Sequence, residues 1–357
     1  MRRLGGARLA ALWLLVAGSP IWVVHTYGWA FLGLLCGAAM IAEVVASRAS
    51  LAWALGRILA ACGPLLVPLV FMVLWRANAG ASYAGGWSLA LKMMWLVSVF
   101  RSQWMVPDLL SVTLLIMLVY WAIRERDVTW DARLAIAAAL ALVSYLLLPM
   151  YVMGSAYADM RLVPYALALA LLAIAPARLP AHAMRRLMLA AGAFLAVRTI
   201  AVGWSYVEQD RLVEKHFLAL EAVPEGSRLV VLIVKPCTQP WALPVTDHIG
   251  SLAMVRKNIF ANDQWEGPGV NPLHVTFPAG GDFVRDPSQI VQVDGCRPQA
   301  ARYLSDSIQA LPRAAFTHVW IIGEATAAMP VPAGLERLAH RGKGQLFVVN
   351  HSPAPRR

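Results

Sequence analysis

The chain has 357 residues, of which 59% are hydrophobic and 14% are charged, and its formal net charge is +11. Soluble domains are about one-quarter charged, so the composition excludes an ordinary soluble protein. The positive charge lies in the apolar part, because residues 1–204 contain 16 basic and six acidic residues and residues 205–357 contain 15 and 14. A nucleic-acid interface needs basic residues clustered on a soluble face, so no nucleic-acid partner is expected.

Seven segments of residues 1–204 are candidates for membrane spans, since a helix needs about 20 mainly apolar residues to cross the hydrocarbon core. They are residues 9–25, 28–47, 58–75, 107–123, 134–153, 162–177 and 187–204. The first also fits a signal peptide, but the apolar pattern resumes directly after it, which favours a span. The predicted fold class is a membrane all-α bundle of about seven transmembrane helices followed by a small α/β soluble domain.

Basic residues indicate which loops face the cytoplasm. With the N-terminus inside, eleven arginines fall in inner loops and four basic residues fall in outer loops. The inner set is Arg2, Arg3, Arg8, Arg48, Arg57, Arg124, Arg126, Arg133, Arg178, Arg185 and Arg186. The outer set is Arg76, Lys92, Arg101 and Arg161. This bias predicts a multi-pass membrane protein whose C-terminal domain, residues 205–357, is extracytoplasmic.

The long outer loop, about residues 76–106, contains a segment, residues 86–104, that is predicted to form an interfacial helix. Ser88, Lys92 and Ser98 fall on one side at the helical period, and the tryptophans of the segment suit the membrane surface. Two interpretations stay open. The helix is either a structural anchor or one wall of a site in which Lys92 or Arg101 contacts a lipid phosphate.

Five ionisable residues are predicted near the outer ends of the spans: Arg101, Asp108, Asp159, Arg161 and Arg198. Ionisable groups at membrane depth are costly and face a cavity or a partner, so these residues could converge on one outward-facing vestibule. The alternative is that Asp108 and Asp159 each cap a helix while the arginines extend to the headgroups.

The soluble part has the pattern of a small α/β domain. Apolar runs at residues 228–234, 318–323 and 345–350 predict strands, and helices are predicted near residues 248–260 and 299–311. The sequence contains no GxGxxG, GK[ST], HExxH, GxSxG, DxD or CxxC pattern. We therefore expect no cofactor and no metal.

Two polar clusters and two cysteines stand out in the same domain. Asp247-His248 precedes a predicted helix, which Asp247 is expected to cap. Residues 263–266 combine acidic and aromatic groups, as a carbohydrate contact or a surface loop would. Cys237 and Cys296 could form a disulfide if the domain faces an oxidising compartment.

A family resemblance is carried by residues 157–164, with the sequence YADMRLVP, by the alanine-leucine span after them and by the α/β domain that follows. In this plan the chain resembles the C-terminal part of bacterial polytopic membrane glycosyltransferases of the GT-C type. The long outer loop adds to the likeness. The resemblance implies a bacterial inner-membrane protein that transfers sugar from a lipid-phosphate donor, such as a polyprenyl-phosphate sugar, during envelope glycan assembly at the outer face.

The resemblance also implies roles for individual residues. A carboxylate acts as general base on the acceptor hydroxyl in such enzymes, and the candidates here are Asp159 and Asp108. Basic residues hold the donor phosphate, and the candidates for this role are Arg161, Arg198, Arg101 and Lys92.

The chain departs from the family in its first outer loop. Family members place a catalytic acid in a large first outer loop, but here that loop is residues 25–27 and contains no acid. Either an N-terminal portion is missing, or the chain is a degenerate relative without catalysis. The alternative function is a non-catalytic, membrane-anchored binding or assembly protein.

Overall fold

A computed structural model of the chain divides into two compact units. The helical unit consists mainly of residues 1–101 and 106–193, and the α/β unit consists mainly of residues 102–105 and 194–357. The structure describes residues 2–48, 50–78, 85–152, 155–176, 178–238, 240–266, 273–296, 302–323, 330–341 and 344–350. This layout, in which helices are followed by an α/β region, is the one that the sequence predicts.

The described part of residues 2–217 consists of helices and their connecting loops, with one short strand pair. Its helices are α1 (Arg2–Val24), α2 (Thr26–Ser47), α3 (Leu51–Cys62), α4 (Val67–Asn78), α5 (Leu89–Val97), α6 (Met105–Arg124), α7 (Ala132–Leu147), α8 (Leu162–Leu172) and α9 (Ala181–Phe217). Strands β1 (Thr129–Trp130) and β2 (Ile174–Ala175) pair antiparallel. Since α9 is continuous, the predicted boundary at residue 204 lies inside this helix.

Four helical segments of the described part are long and apolar enough to cross a membrane by length and composition: Thr26–Ser47, Ala52–Phe71, Met105–Arg124 and Ala181–Ala222. The second of them runs from α3 through a 3-10 turn, Gly63–Leu66, into α4. The sequence predicts seven spans. Three of the predicted spans are not among these four segments. Two of the three correspond to α7, which has 16 residues, and α8, which has 11. At 1.5 Å per residue these helices extend about 24 and 16 Å, short of a hydrocarbon core of about 30 Å. The third is α1, in which Leu12–Val24 is an apolar segment.

Small side chains hold α2, α7 and α8 together. Ala38, Ala137 and Ala141 are fully buried, and Ala166 and Leu169 of α8 complete the cluster. Small residues at a helix contact allow close approach of the backbones, which is how helices associate in lipid, where apolar burial gives no driving force. The outward faces of these helices carry exposed large apolar residues, as a lipid-facing surface requires.

The α/β unit is built on a six-stranded sheet. Its elements are β3 (Arg228–Lys235), α10 (Ile249–Lys257), β4 (Phe260–Ala261), β5 (Ile290–Gln292), α11 (Leu304–Ala310), β6 (His318–Ile322), β7 (Leu335–Arg341) and β8 (Gly344–Val349). The sheet order is β4-β3-β6-β8-β7, and β5 also pairs with β3. Strands β4, β5 and β6 run parallel to β3, whereas β8 is antiparallel to both β6 and β7.

Both faces of this sheet are buried, which explains the unbroken apolar run of β3. Val231 belongs to a core that includes Ile249 of α10, while its neighbour Val230 belongs to a second core that includes Leu304 of α11. Successive strand residues point to opposite faces. The unit is therefore a helix-sheet-helix sandwich, and its loops at the strand ends are free to carry a site.

Candidate functional site

The best-defined charged pair in the helical unit joins Lys92 of α5 to Asp159 of the loop before α8. The Lys92 ammonium donates to Asp159 Oδ2 at 2.9 Å and to the backbone carbonyls of Tyr145 and Leu148 at 2.6 and 2.8 Å. An ammonium has three protons, and these three acceptors match them. The structure thus brings together two of the six candidate site residues.

Aromatic side chains surround this ion pair. The ammonium lies 4.9 Å from the ring centroid of Tyr145 and 5.9 Å from that of Trp87, which are cation-π distances. The Tyr145 hydroxyl donates to the backbone carbonyl of Lys92. The side chains of Lys92 and Asp159 are only 1% and 4% exposed. The pair therefore fastens α5 to the end of α7 and to the loop before α8.

The chemistry open to this pair follows from its burial. Asp159 Oδ1 has no hydrogen-bond partner in the described part of the chain, so the carboxylate has spare acceptor capacity. With its protons donated internally, Lys92 cannot also hold a phosphate in this arrangement. A role for Asp159 as a base requires that the pair opens first.

Arg161 lies two residues further along the same loop and is exposed. Its guanidinium makes two long contacts, both at 3.4 Å, to Ser155 Oγ and to the carbonyl of Ala156. It also stacks over the ring of Tyr27 at 4.9 Å, and the Tyr27 hydroxyl donates to the Val152 carbonyl at 3.1 Å. The loop thus presents a positioned but solvent-accessible cation beside the buried pair.

The other three selected residues occupy separate elements. Asp108 is fully buried in the first turn of α6, where the helix dipole favours a negative charge. Arg101, before α6, is half-buried and belongs to the helical unit, while Arg198 of α9 is half-buried and belongs to the α/β unit. All three have interaction partners. Their convergence with Asp159 on one vestibule stays a prediction.

A second polar cluster lies in the α/β unit. His248 precedes α10 and Asp263 follows β4, and their side chains meet with His248 Nδ1 2.8 Å from Asp263 Oδ1. Asp263 Oδ2 accepts from the Ser251 backbone N–H at 2.9 Å. Gly250 permits this approach, because an added Cβ would lie 3.0 Å from the Asp263 Cβ. The sequence shows the two segments that carry His248 and Asp263 but contains no signal that they meet.

The charges around His248 alter its protonation. The pKa of His248 is raised above its ordinary value because its ring is hydrogen-bonded to the Asp263 carboxylate. Partial burial opposes this effect, and the charges of Asp263, Asp286 and Asp247 add to it. Asp247 itself is paired with Lys235. The cluster is therefore rich in negative charge.

His318 shows the opposite behaviour. Burial at the start of β6 lowers its pKa, so its contribution to stability is present above the unfolded pKa of about 6.5 and is lost as the pH falls through the lowered value. We expect the unfolding free energy to drop by up to about 1.4 kcal/mol per pH unit below pH 6.5 through this group. Denaturant midpoints from pH 7 to 5 should show a weaker pH response in His318→Gln. The exposed control His182→Gln should respond as the wild type does, and an equally strong response in His318→Gln would contradict the assignment.

Comparison of the chain with known protein families, with curated proteins and with solved structures found no match.

Proposed function

We propose that this chain is a multi-pass protein of the bacterial inner membrane that takes part in sugar transfer from a polyprenyl-phosphate donor during envelope glycan assembly. The proposal is supported by the four apolar helices long enough to span a membrane and by the α/β region that follows them. It is also supported by the likeness of residues 157–164 to the GT-C type of glycosyltransferase. In this proposal seven helical segments contact the membrane, and the short ones, α7 and α8, are completed by the loops at their ends.

In this proposal the α/β unit lies outside the cytoplasm. The distribution of arginines between the loops supports this orientation. The disulfide between Cys237 and Cys296 supports it independently, since structural disulfides persist in oxidising compartments and are rare in the cytosol.

The observation that carries the proposal is the exposed Arg161 beside the buried Lys92–Asp159 pair. An arginine binds phosphate oxygens with two parallel N–H donors. The two 3.4 Å contacts of Arg161 are weak, so a phosphate can replace them at little cost. The buried pair fixes the loop from which Arg161 extends. The lipid phosphate would therefore sit at the outer face, on this loop.

The acceptor hydroxyl still needs a base. Asp159 and Asp108 are the candidates, and both are buried. For Asp159, donor binding would have to separate its carboxylate from Lys92, which would free a base at the moment the donor is in place. Lys92, Arg101 and Arg198 would be additional phosphate contacts only after such a rearrangement.

A second function is favoured by one observation. The Lys92–Asp159 pair is internally satisfied and nearly inaccessible, as expected if the charges serve packing and not catalysis. In that case the chain is a membrane-anchored binding or assembly protein. It would bind the lipid without transferring its sugar.

Binding of polyprenyl phosphate to the full chain in lipid nanodiscs tests the phosphate site. We expect Arg161→Gln to weaken binding by about tenfold or more, because a hydrogen bond to a charged group contributes about 1.5–3 kcal/mol. Arg124→Gln is the matched control, since Arg124 is also exposed and stacks on a tyrosine, Tyr120, at 5.3 Å. Equal binding by Arg161→Gln and the wild type would rule out the assignment of Arg161.

A further inference from the structure

The cluster around His248 has the composition of a metal site. His248, Asp263 and Asp286 each offer one ligand atom, and these atoms lie within 4.8 Å of one another. Ligand atoms that share a cation at about 2.0–2.2 Å are themselves about 3–4 Å apart, so only small side-chain movements would close the set. His248 is 65% exposed and the Asp263 side chain is fully buried. The cluster thus has a fixed inner wall and an outer side open to solvent.

A buried amide holds the two carboxylates in place. Gln289 is 0% exposed, and its Nε2 donates to Asp263 Oδ1 at 3.0 Å and also to Asp286 Oδ1. Its Oε1 is buried and has no partner among the residues that the structure describes. The amide end of Gln289 therefore lies in the cluster with one polar atom unsatisfied.

The sheet edge explains why these residues meet. Strands β4 and β5 both pair with β3, at its first and last residues respectively. Between them the Asn262 side chain takes the place of a strand, because its Oδ1 accepts from Val231 N–H at 2.7 Å and its Nδ2 donates to the Val231 carbonyl at 3.2 Å. Asp263 follows directly, and the chain leaves the sheet edge there. The gap between the two short strands is where the cluster forms.

The negative charge of the cluster favours a bound cation. Two carboxylates lie close together, and Asp247 adds a third negative charge nearby, partly neutralised by Lys235. A divalent cation would balance the carboxylates more completely. A second histidine–carboxylate pair in the described part of the unit, His274 with Glu266, has Arg285 beside it in place of a second acid.

We propose that His248, Asp263 and Asp286 bind a divalent transition-metal ion such as Zn²⁺ or Mn²⁺ in the α/β unit. One imidazole nitrogen with two carboxylate oxygens is a donor set that suits these ions. Three protein ligands leave a coordination position open. Because His248 is on the exposed side, this position faces solvent and would take water or an anionic oxygen ligand such as a phosphate or a carboxylate. The inference is independent of the proposed glycan transfer.

The test is metal stoichiometry. The full chain in detergent is stripped with EDTA, dialysed against Zn²⁺ or Mn²⁺ and analysed by atomic emission. The wild type should retain one ion per chain, and His248→Gln and Asp286→Asn should each raise the dissociation constant at least tenfold. His274→Gln is the matched control and should bind as the wild type does.

Two outcomes would overturn the site. One is a wild-type chain that retains no Zn²⁺ or Mn²⁺, and the other is retention that is the same in His248→Gln and Asp286→Asn as in the wild type. His248 is mostly exposed, so its replacement should leave the core intact. The thermal midpoint of the metal-free protein, which we expect to be unchanged, checks this. Asparagine at 286 still accepts from Gln289 through its carbonyl oxygen.

Discussion

Replacing Lys92 with methionine is expected to lower the unfolding free energy of the helical unit by about 3–5 kcal/mol, the usual cost of removing one partner of a buried ion pair. The change leaves the Asp159 carboxylate buried without a cation and leaves the carbonyls of Tyr145 and Leu148 without their donor. SDS-induced unfolding of the full chain in mixed micelles measures the loss. Asp159→Asn should cost less, because its side-chain carbonyl can still accept from the ammonium.

Matched variants distinguish the loss of the Lys92–Asp159 ion pair from the general effect of a substitution on stability. Lys92→Met combined with Asp159→Leu removes both charges, so its cost should be at least about 1 kcal/mol smaller than the sum of the two single costs. The control is the exposed pair between Arg57 and Glu43, which is 2.7 Å long with both side chains 41% exposed. Arg57→Met should cost about 0–1 kcal/mol. A Lys92→Met loss no larger than that of Arg57→Met would show that the buried pair does not organise the unit.

Replacing both Cys237 and Cys296 with serine is expected to have the second large effect, a loss of about 4 kcal/mol in the unfolding free energy of the α/β unit. The disulfide closes a loop with a sequence separation of 59, and the entropy that such a cross-link removes from the unfolded chain has this magnitude. Replacing Cys36 and Cys62, which are free in the helical unit, is the control and should leave the α/β unit unchanged.

The oxidation state of Cys237 and Cys296 indicates whether the α/β unit faces an oxidising compartment. Under denaturing, non-reducing conditions, protein from its native membrane should titrate two thiols and, after reduction, four. Four thiols before reduction would contradict both the disulfide and the placement of the α/β unit outside the cytoplasm.

The general layout was predictable because it rests on local pattern. An apolar run of branched residues predicts β3, and the buried faces on both sides of the sheet explain why that run has no polar alternation. Helix length was less predictable. Hydropathy cannot show that α7 ends at Leu147, directly before Leu148 and Pro149, or that α8 ends where Ile174 enters a strand pair.

The candidate sites depend on contacts between distant parts of the chain. Lys92 and Asp159 are identifiable separately as ionisable residues in an apolar region, but 67 positions separate them and no periodicity relates them. The sequence groups Lys92 with the serines on one side of a predicted interfacial helix, but it does not show that three acceptors bind the ammonium inside the unit. Similarly, His248, Asp263 and Asp286 meet only because β4 and β5 share one edge of β3.

In the proposed function the loop that carries Arg161 binds the phosphate of a lipid-linked sugar at the outer face. The most direct measurement is the composition of the surface glycan in cells of the source organism that lack this chain and are complemented with wild type, Arg161→Gln or Arg124→Gln at equal protein levels. We expect that a glycan is lost without the chain, stays lost with Arg161→Gln and returns with Arg124→Gln. A surface glycan that is unchanged when the chain is absent would contradict the proposed function.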